Sequence, residues 1–260
     1  MPYKRLSTGK IARQVGCHPN TVRFYEQQGF LPAVRRNPRN NYRLYSEAHI
    51  DHMQLALLAF KAPFPGRPLR RSLTNLVKHA AVGDLGGALG LAFNHQTLVR
   101  SEIAQANSAA DFLEKWVGGM TINGSPRSLW TGETALLLGV TIDSLRTWER
   151  NGLIDVPRNP QNGYRHYGAQ EIGRLRVIRM LRSAGYSISA ILRMFTYLER
   201  GEDTDLRKAL DTPDPDDDIF FAADAWLSTL AEHENIAQQL IDMLQEIIRK
   251  QQENPKYYTD

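Results

Sequence analysis

An internal duplication constrains the fold of this chain more than any other feature of its sequence. The segment TVRFYEQQGFLPAVRRNPRNNYRLY (21–45) recurs as DSLRTWERNGLIDVPRNPQNGYRHY (143–167). Identical residues up to Gly29 lie 123 positions apart, as Gly16 and Gly139 do. From Arg36 onward they lie 122 positions apart, because one residue is dropped. This run of matches indicates two copies of one structural unit, so an interpretation of either copy can be tested on the other.

Charged residues are distributed unevenly along the 260-residue chain. Residues 1–127 contain 17 Lys and Arg against 7 Asp and Glu, 128–200 contain 10 against 6, and 201–260 contain 5 against 15. The basic excess in the two copies favours a polyanionic partner, although a solvated basic face has the same composition. No apolar run is long enough to span a membrane, and the first residues lack the apolar block of a secretory signal. We therefore expect a cytoplasmic protein with no membrane partner.

The start of each copy has the pattern of two short helices around a tight turn. An apolar-periodic segment precedes Gly16 in copy one and Gly139 in copy two, and glycine at these positions favours a left-handed turn. A second helix is predicted over Thr21–Gln28, followed by Gly29, with Gly152 as its counterpart in copy two. This arrangement is typical of a helix-turn-helix.

A β-hairpin and a pair of helices follow in each copy. The hairpin loop is Asn-Pro-Arg-Asn-Asn in copy one and Asn-Pro-Gln-Asn-Gly in copy two, before a returning strand such as Tyr42–Tyr45. In copy two the helix pair is predicted over Ala169–Arg182 and Ser187–Leu198. In copy one three prolines (63, 65 and 68) interrupt the connection, so the second helix of the pair is predicted to start near Arg71.

Each copy ends in a long helix with a heptad seam, which predicts a two-stranded coiled coil. The seam residues of copy one are Leu85, Leu89, Ala92, Gln96, Val99, Ile103, Ala106, Ala110, Leu113 and Val117. Those of copy two are Trp226, Leu230, His233, Ala237, Leu240, Leu244 and Ile247. The predicted fold is mainly α, a duplicated winged helix-turn-helix with small β-hairpin wings, each followed by a helix pair and a coiled-coil helix. The predicted domains are a first DNA-binding domain (1–80), its coiled-coil helix (81–117), a linker (118–129), a second DNA-binding domain (130–210), and an acidic turn with the second coiled-coil helix (211–260).

The second helix and the wing of both copies resemble those of the MerR family of transcription regulators. The resemblance rests on Arg23-Phe-Tyr-Glu26 with Asn41-Tyr-Arg-Leu-Tyr45, and on Arg146-Thr-Trp-Glu149 with Gly163-Tyr-Arg-His-Tyr167. It implies that the second helix enters the major groove of DNA while the wing grips the neighbouring backbone. It also implies that long helices pair antiparallel between two chains. Because this chain carries two such units, it is expected to act as an intramolecular pseudo-dimer, with a homodimer as the competing arrangement.

The candidate DNA-binding residues lie on the two second helices and the two wings. An arginine fork can bind phosphate oxygens or a guanine edge, and tyrosine hydroxyls can bind phosphate. The candidates are Thr21, Arg23, Tyr25, Arg35, Arg36, Arg39, Tyr42, Arg43, Tyr45, Ser144, Arg146, Trp148, Arg158, Tyr164, Arg165 and Tyr167. For Phe24, Tyr45, Trp148 and Tyr167, packing of the wing onto the helix pair is an equally plausible role.

Residues that suggest a sensor have simpler interpretations. The single cysteine, Cys17, corresponds to Val140, so the position favours a small apolar side chain over a redox or metal ligand. His49 and His52 have no accompanying acidic or cysteine cluster and are interpreted as solvated or capping residues. We assign no metal and no cofactor. No nucleophile–base constellation is present, so we do not expect an enzyme.

Three functions remain open from the sequence. The first is a sequence-specific regulator that binds double-stranded DNA in the nucleoid and acts on RNA polymerase indirectly, by distorting a promoter as the resemblance implies. The second is an architectural, excisionase-like DNA-binding accessory protein. The third is a drug-binding protein that keeps the fold and gathers aromatic residues (Trp116, Trp130, Trp226, Phe220, Phe221) into a pocket. A small-molecule effector is a possible partner of the regulator, and the sequence does not identify it.

Overall fold

The computed structural model describes residues 5–63, 67–119, 128–200, 205–212 and 224–254. The elements of copy one are α1 (Thr8–Val15), α2 (Pro19–Gln27), β1 (Arg35–Arg36), β2 (Arg43–Leu44), α3 (Glu47–Ala59), α4 (Arg67–Ala81) and α5 (Leu85–Val117). Those of copy two are α6 (Thr131–Leu138), α7 (Ile142–Arg150), α8 (Ala169–Ser183), α9 (Ile188–Glu199), α10 (Leu206–Asp211) and α11 (Trp226–Glu253). The predicted acidic run 214–218 and most of the predicted linker lie outside the described residues.

The helix-turn-helix of each copy has the same backbone. The turn after α1 places Gly16 at φ 70°, and the turn after α6 places Gly139 at φ 62°. The second helices end before Gly29 at φ 72° and Gly152 at φ 75°. All four positions lie in the left-handed region, which glycine adopts without the strain that a Cβ would add. The glycine turns predicted from the sequence are confirmed.

The wings are short. In copy one, β1 pairs antiparallel with β2, so that Arg35 lies opposite Leu44 and Arg36 opposite Arg43. In copy two the equivalent pairing is a single bridge between Arg158 and Arg165.

The helix pairs follow the prediction except at the start of α4. Helices α8 and α9 begin and end within a residue of the predicted limits, and Ser187 caps α9 through its hydroxyl. Helix α4 begins at Arg67, not near Arg71. The delay predicted from the prolines was wrong because Pro68 falls in the first turn, where a missing N–H costs no helical hydrogen bond. Helix α10 was not predicted; the Asp205 side chain caps it by accepting from the Arg207 amide at 3.0 Å.

The chain forms two compact units, and each long helix contributes to both. Unit 1 comprises Met1–Arg100 and Ala231–Asp260, whereas unit 2 comprises Ser101–Leu230. In unit 1 the first half of α5 packs on α3, α4 and the second half of α11. The apolar core there includes Leu55, Leu73, Leu76, Ala88, Ala92, Leu240, Leu244 and Ile247.

In unit 1 polar residues of α5 and α11 accompany this core. Gln96 donates to Gln238 at 3.0 Å, and Arg100 pairs with Glu234 at 2.8 Å. His95 and His233 are both fully buried, with ring centroids 6.3 Å apart. Burial lowers the pKa of His95 to about 4, so this side chain is neutral at physiological pH.

In unit 2 the second half of α5 packs on the helices of the second copy. The Tyr186 hydroxyl donates to the Ala106 carbonyl at 3.3 Å, and the Trp116 ring lies edge-on to Phe195 at 6.2 Å. Arg207 of α10 pairs with Asp111 and, at 2.7 Å, with Glu114. The predicted α5 seam ends at Leu113, because Val117 is 43% exposed. All of the predicted α11 seam residues are buried.

None of the helices in the described ranges is both long enough and apolar enough to cross a membrane.

Candidate nucleic-acid interface

The second helix of copy one presents a polar, exposed face. Its N-terminus is capped by His18, whose ring nitrogen Nδ1 accepts from the Asn20 amide at 3.2 Å. The Arg23 Nη1 group donates to the Asn20 side-chain oxygen at 2.9 Å, and both side chains are exposed. This bond holds the guanidinium along the helix surface while its other N–H groups stay available to an acceptor such as phosphate or a guanine edge.

The corresponding helix of copy two has the same exposed arginine but a different cap. The Thr141 hydroxyl accepts from the Ser144 amide at 3.0 Å and lies 2.8 Å from the Ser144 hydroxyl. The predicted DNA-contacting hydroxyl of Ser144 is therefore already engaged at the helix cap. Arg146 is exposed, as Arg23 is, with exposed Asp143 where copy one has Asn20.

The two wing loops share one hydrogen-bond pattern. The Asn37 amide donates to the Tyr42 carbonyl at 2.8 Å, and the Asn159 amide donates to the Tyr164 carbonyl at the same distance. The side chains of Tyr42 and Tyr164 are 72% and 66% exposed.

An arginine braces each wing loop from within. The Arg36 Nη1 group donates to the Asn41 carbonyl, and the Arg158 Nη1 group to the Gly163 carbonyl, both at 3.3 Å. Asn41 has φ 58° and Gly163 has φ 72°, so both loops turn through the left-handed region at the same point. The Asn-Gly signal in copy two therefore correctly predicted a positive φ, and asparagine tolerates it in copy one.

A glutamate on the second helix ties the wing to the body. The Arg43 Nε group donates to Glu26 at 2.6 Å, and the Arg165 Nε group donates to Glu149 at 2.6 Å. In copy one the Tyr45 hydroxyl also donates to Glu26, at 3.0 Å. Arg43 and Arg165 were predicted as phosphate contacts, but only about a quarter of each side chain is exposed, and each is engaged by an internal carboxylate.

This glutamate was missed as a functional residue by the sequence interpretation. Its recurrence at the same place in both copies was the available signal, and Glu26 and Glu149 both appeared in the family signature without a role. In each copy the ion pair joins the second helix to the returning strand of the wing, 16–17 residues further along the chain. The wing is therefore fixed in position relative to the second helix.

Several predicted contact residues belong to the interior instead. Tyr45 and Tyr167 are each 1% exposed and Trp148 is 6% exposed, so the packing role holds for these three. Burial raises the pKa of Tyr45 to about 12 and also raises that of Tyr167. The Tyr25 ring is half-buried, with Phe30 and Phe60 at 5.5 and 6.1 Å. In a strand, residues two apart share a face, so the face shared by Arg43 and Tyr45 points into the body.

The remaining candidates stay at the surface. Thr21 is partly exposed on α2. The exposed side chains are Arg23, Arg35, Arg36, Arg39, Tyr42, Arg146, Arg158 and Tyr164.

Unit 2 contains an open cavity of about 640 Å³ next to its second helix. Its lining includes Trp116 from α5, Gly152 and Ile154 from the segment after α7, Glu171 and Gly173 from α8, and, in addition, Asp155, Ala169, Gln170, Arg174 and Glu199. Arg174 donates to Glu199 at 2.7 Å and lies 3.9 Å above the Phe195 ring. The predicted aromatic pocket does not form here as a group, since Trp226 is buried and Trp130 lies against Tyr164; Phe220 and Phe221 lie outside the described residues.

The residues considered as sensors, Cys17, His49 and His52, are partly or fully buried in the protein. Cys17 is partly buried, and burial raises the pKa of its thiol. His49 caps α3 by accepting from the Ser46 amide at 3.1 Å, which agrees with the capping role predicted for it. His52 is fully buried, which contradicts a solvated role, and burial lowers its pKa to about 4. Within the described ranges no group of three or more His, Cys, Asp or Glu side chains is arranged to hold a metal ion.

Comparison with known proteins agrees with this geometry in both copies. The model of the MerR HTH family regulatory proteins matches residues 6–60 and again 129–198. The chain is 34% identical over 71 residues to the mercuric resistance operon regulatory protein of Bacillus cereus, covering 27% of this chain and 54% of that protein. It is 33% identical over 72 residues to the HTH-type transcriptional regulator AdhR of Bacillus subtilis, covering 28% and 51%.

Another similar relative is the HTH-type transcriptional regulator CueR of Escherichia coli, at 32% identity over 56 residues, which covers 22% of this chain and 42% of that protein. These alignments span about half the length of the curated relatives. No solved structure matches the chain significantly. Since the family model matches each copy separately, and each copy has the same helix-turn-helix and wing, the chain belongs to the MerR family and carries two MerR-type units in one polypeptide.

Proposed function

We propose that this protein is a transcription regulator that binds double-stranded DNA in a sequence-specific manner through both of its winged helix-turn-helix units. The observation that carries the proposal is the matched set of exposed arginines, with Arg23 and Arg146 on the second helices and Arg36 and Arg158 on the wings. Each second helix enters the major groove and each wing lies along the backbone. The relatives are named as regulators, which favours transcription over an architectural role. The effect on RNA polymerase is indirect, through the shape of the promoter.

A salt titration tests DNA binding. If the two units make about 6–10 phosphate contacts, affinity falls about 10³–10⁵-fold between 50 and 200 mM salt. A mobility-shift titration on genomic fragments measures this loss and also selects the operator. A nearly flat response to salt would contradict DNA binding. Selected fragments that cluster at a recombination attachment locus, and not near promoters, would favour the accessory-protein alternative.

We also propose that one chain acts as a pseudo-dimer on an imperfect palindrome. Two features support this: α5 and α11 pack against each other within unit 1, and the same two helices both continue into unit 2. The operator halves should differ because the second helices differ, with Asn20-Thr-Val-Arg23 in copy one and Asp143-Ser-Leu-Arg146 in copy two. Light scattering at micromolar concentration should give the chain mass of 29.5 kDa. A mass twice that value would show a homodimer.

A small-molecule effector is the third element of the proposal, and the cavity of unit 2 supports it. Gly152 and Ile154 line this cavity and belong to the segment that connects α7 to the wing. A molecule bound in the cavity therefore contacts the segment that sets the orientation of α7 and of the wing. At the matching place in copy one, Asp51 stands where copy two has Gly173, and its carboxylate is paired with Lys250 at 2.9 Å. Glu199 is already paired with Arg174, whereas Asp155, Glu171 and the Trp116 ring are groups that suit an organic cation.

Tryptophan fluorescence tests the effector site with tetraphenylphosphonium as a cationic probe. Saturable quenching by the probe is expected in the parent chain and should be lost in Gly173→Leu, which fills the cavity. Trp130→Phe removes a tryptophan that does not line the cavity and is the matched control. Equal quenching of the parent and Gly173→Leu would exclude the cavity as the binding site.

A further inference from the structure

The two DNA-binding surfaces differ sharply in charge although their backbones match. Residues 5–45 of copy one contain eight Lys and Arg and one Glu, a net charge of +7. The equivalent residues 128–167 of copy two contain four Arg, two Glu and two Asp, a net charge of zero. Both ranges begin one residue before the bridge residue that precedes the first helix (Leu6 or Leu129) and end at the last wing residue (Tyr45 or Tyr167).

The difference lies at exposed positions, where a polyanion is contacted. On the first helices, Lys10 and Arg13 of α1 are exposed, whereas the matching positions of α6 are Glu133 and Leu136. Leu136 is 85% exposed, so an apolar side chain stands in solvent where copy one has a guanidinium.

The second helices and the wings differ in the same direction. Asn20 of α2 corresponds to exposed Asp143 of α7, and Arg39 at the tip of the first wing corresponds to Gln161. Copy two has the exposed cations Arg146, Arg150 and Arg158; Arg150 stands where copy one has Gln27, and one of its Nη groups donates to the Thr147 hydroxyl at 3.1 Å. Its surface nevertheless has no net positive charge to offer a phosphate backbone.

Phosphate contacts and base contacts contribute differently to DNA binding. Affinity for random sequence comes from neutralised phosphates and the counterions that they release, so it depends on the net positive charge of the surface. Base contacts supply discrimination but little affinity for the wrong sequence. A neutral unit that keeps an arginine on its second helix therefore holds DNA only where the bases fit.

From this difference in charge, and on the basis of the proposed DNA-binding function, we infer that the two units contribute differently to DNA affinity. The first winged helix-turn-helix supplies nearly all of the salt-dependent grip on DNA of any sequence. The second adds affinity only at its correct half-site. The protein is thus anchored through copy one while copy two samples the sequence.

Matched double variants of the full chain test this division on a random 30-base-pair duplex, by fluorescence anisotropy at several salt concentrations. One variant is Arg23→Ala with Arg36→Ala, and its counterpart is Arg146→Ala with Arg158→Ala. The first pair should make the slope of log K against log salt shallower by roughly 1.8, since each phosphate contact contributes about 0.9. Its affinity at low salt should fall at least ~10-fold. The second pair should lower the slope and the affinity by less than about a third of the loss in the first pair, because the copy-two surface has no net positive charge.

A gain of charge provides the converse test. Leu136→Arg with Gln161→Arg gives copy two the residues of copy one at two exposed positions and should steepen the slope by roughly 1.8. Equal losses from the two alanine pairs, or no steepening in the gain variant, would overturn the inference while leaving DNA binding intact. A parent chain that does not bind the duplex at any salt concentration would instead refute the proposed function.

Discussion

The ion pair between Glu26 and Arg43 is expected to contribute measurably to the stability of the first wing. The perturbation is a double-mutant cycle with Glu26→Ala, Arg43→Ala and the combined variant. The Nε–carboxylate distance is 2.6 Å, and the two side chains are only 19% and 25% exposed. A hydrogen bond between charged groups contributes about 1.5–3 kcal/mol, and partial exposure places this pair near the lower end. We expect a coupling energy of about 1–2 kcal/mol.

The single Glu26→Ala variant should cost more than the coupling energy alone. It also removes the acceptor of the buried Tyr45 hydroxyl, which lies 3.0 Å from Glu26. A lost partner of this kind adds about 1–3 kcal/mol when a buried donor is left unsatisfied. The Glu26→Gln variant keeps an oxygen acceptor without the charge and should fall between the parent and Glu26→Ala.

Amide hydrogen exchange of peptides that cover the wing is the appropriate assay, because it reports local opening and does not require the whole chain to unfold in one step. Glu149 and Arg165 form the same bond at 2.6 Å in copy two, so their cycle should give a similar coupling energy. The surface pair Glu246–Arg249 is the control, followed on peptides that cover the end of α11, and should show no coupling beyond error, since both side chains are well exposed. A coupling energy below about 0.3 kcal/mol in both wing cycles would refute the reasoning.

Three further outcomes are expected. The pKa of His52 and of His95 is lowered to about 4 from 6.5, so the unfolded chain binds more protons than the folded one between those values. Stability should therefore fall as pH drops from 6.5 towards 4, by up to about 1.4 kcal/mol per pH unit for each histidine, and urea titrations of His95→Leu should show a shallower fall. Gly185→Ala should destabilise more than Gly16→Ala in thermal melts: both glycines have positive φ, but only at Gly185 would a Cβ overlap the buried Trp226 ring. Cys17→Val, which installs the residue found at position 140, should bind DNA like the parent with or without reductant; a redox response lost in this variant would mark Cys17 as a sensor.

The parts of the fold that the sequence predicted are those set by local chemistry. Gly16 and Gly139 end helices because glycine takes a left-handed turn without the strain that a Cβ adds, and Gly163 turns the second wing for the same reason. Repetition strengthened each interpretation, since a residue type required twice is seldom accidental. The helix pair of copy two was equally clear from its 3.6-residue period.

The parts that the sequence did not predict depend on tertiary placement. Arg43 and Tyr45 were predicted as DNA contacts of the wing strand, but both side chains turn inward to Glu26. His52 has the polarity of a surface residue and is nevertheless fully buried. The cavity beside Gly173 depends on which long helix packs on α8, and the local sequence pattern of α8 does not predict that helix.

The division of the long helices between the two units has a consequence for synthesis of the protein. Unit 1 is completed by residues 231–260, which leave the ribosome only after every residue of unit 2 has been made. Until then the apolar side chains of α5 and α4 that pack on Leu240 and Leu244 have no cover from their own chain. Nascent chains on one messenger RNA are neighbours during this interval, and the C-terminal helix of one can complete the first unit of another. Slow translation or crowded polysomes should thus favour domain-swapped oligomers, in which the C-terminal helix of one chain packs in unit 1 of another. Refolding of the finished chain at high dilution should favour monomers whose own C-terminal helix completes unit 1.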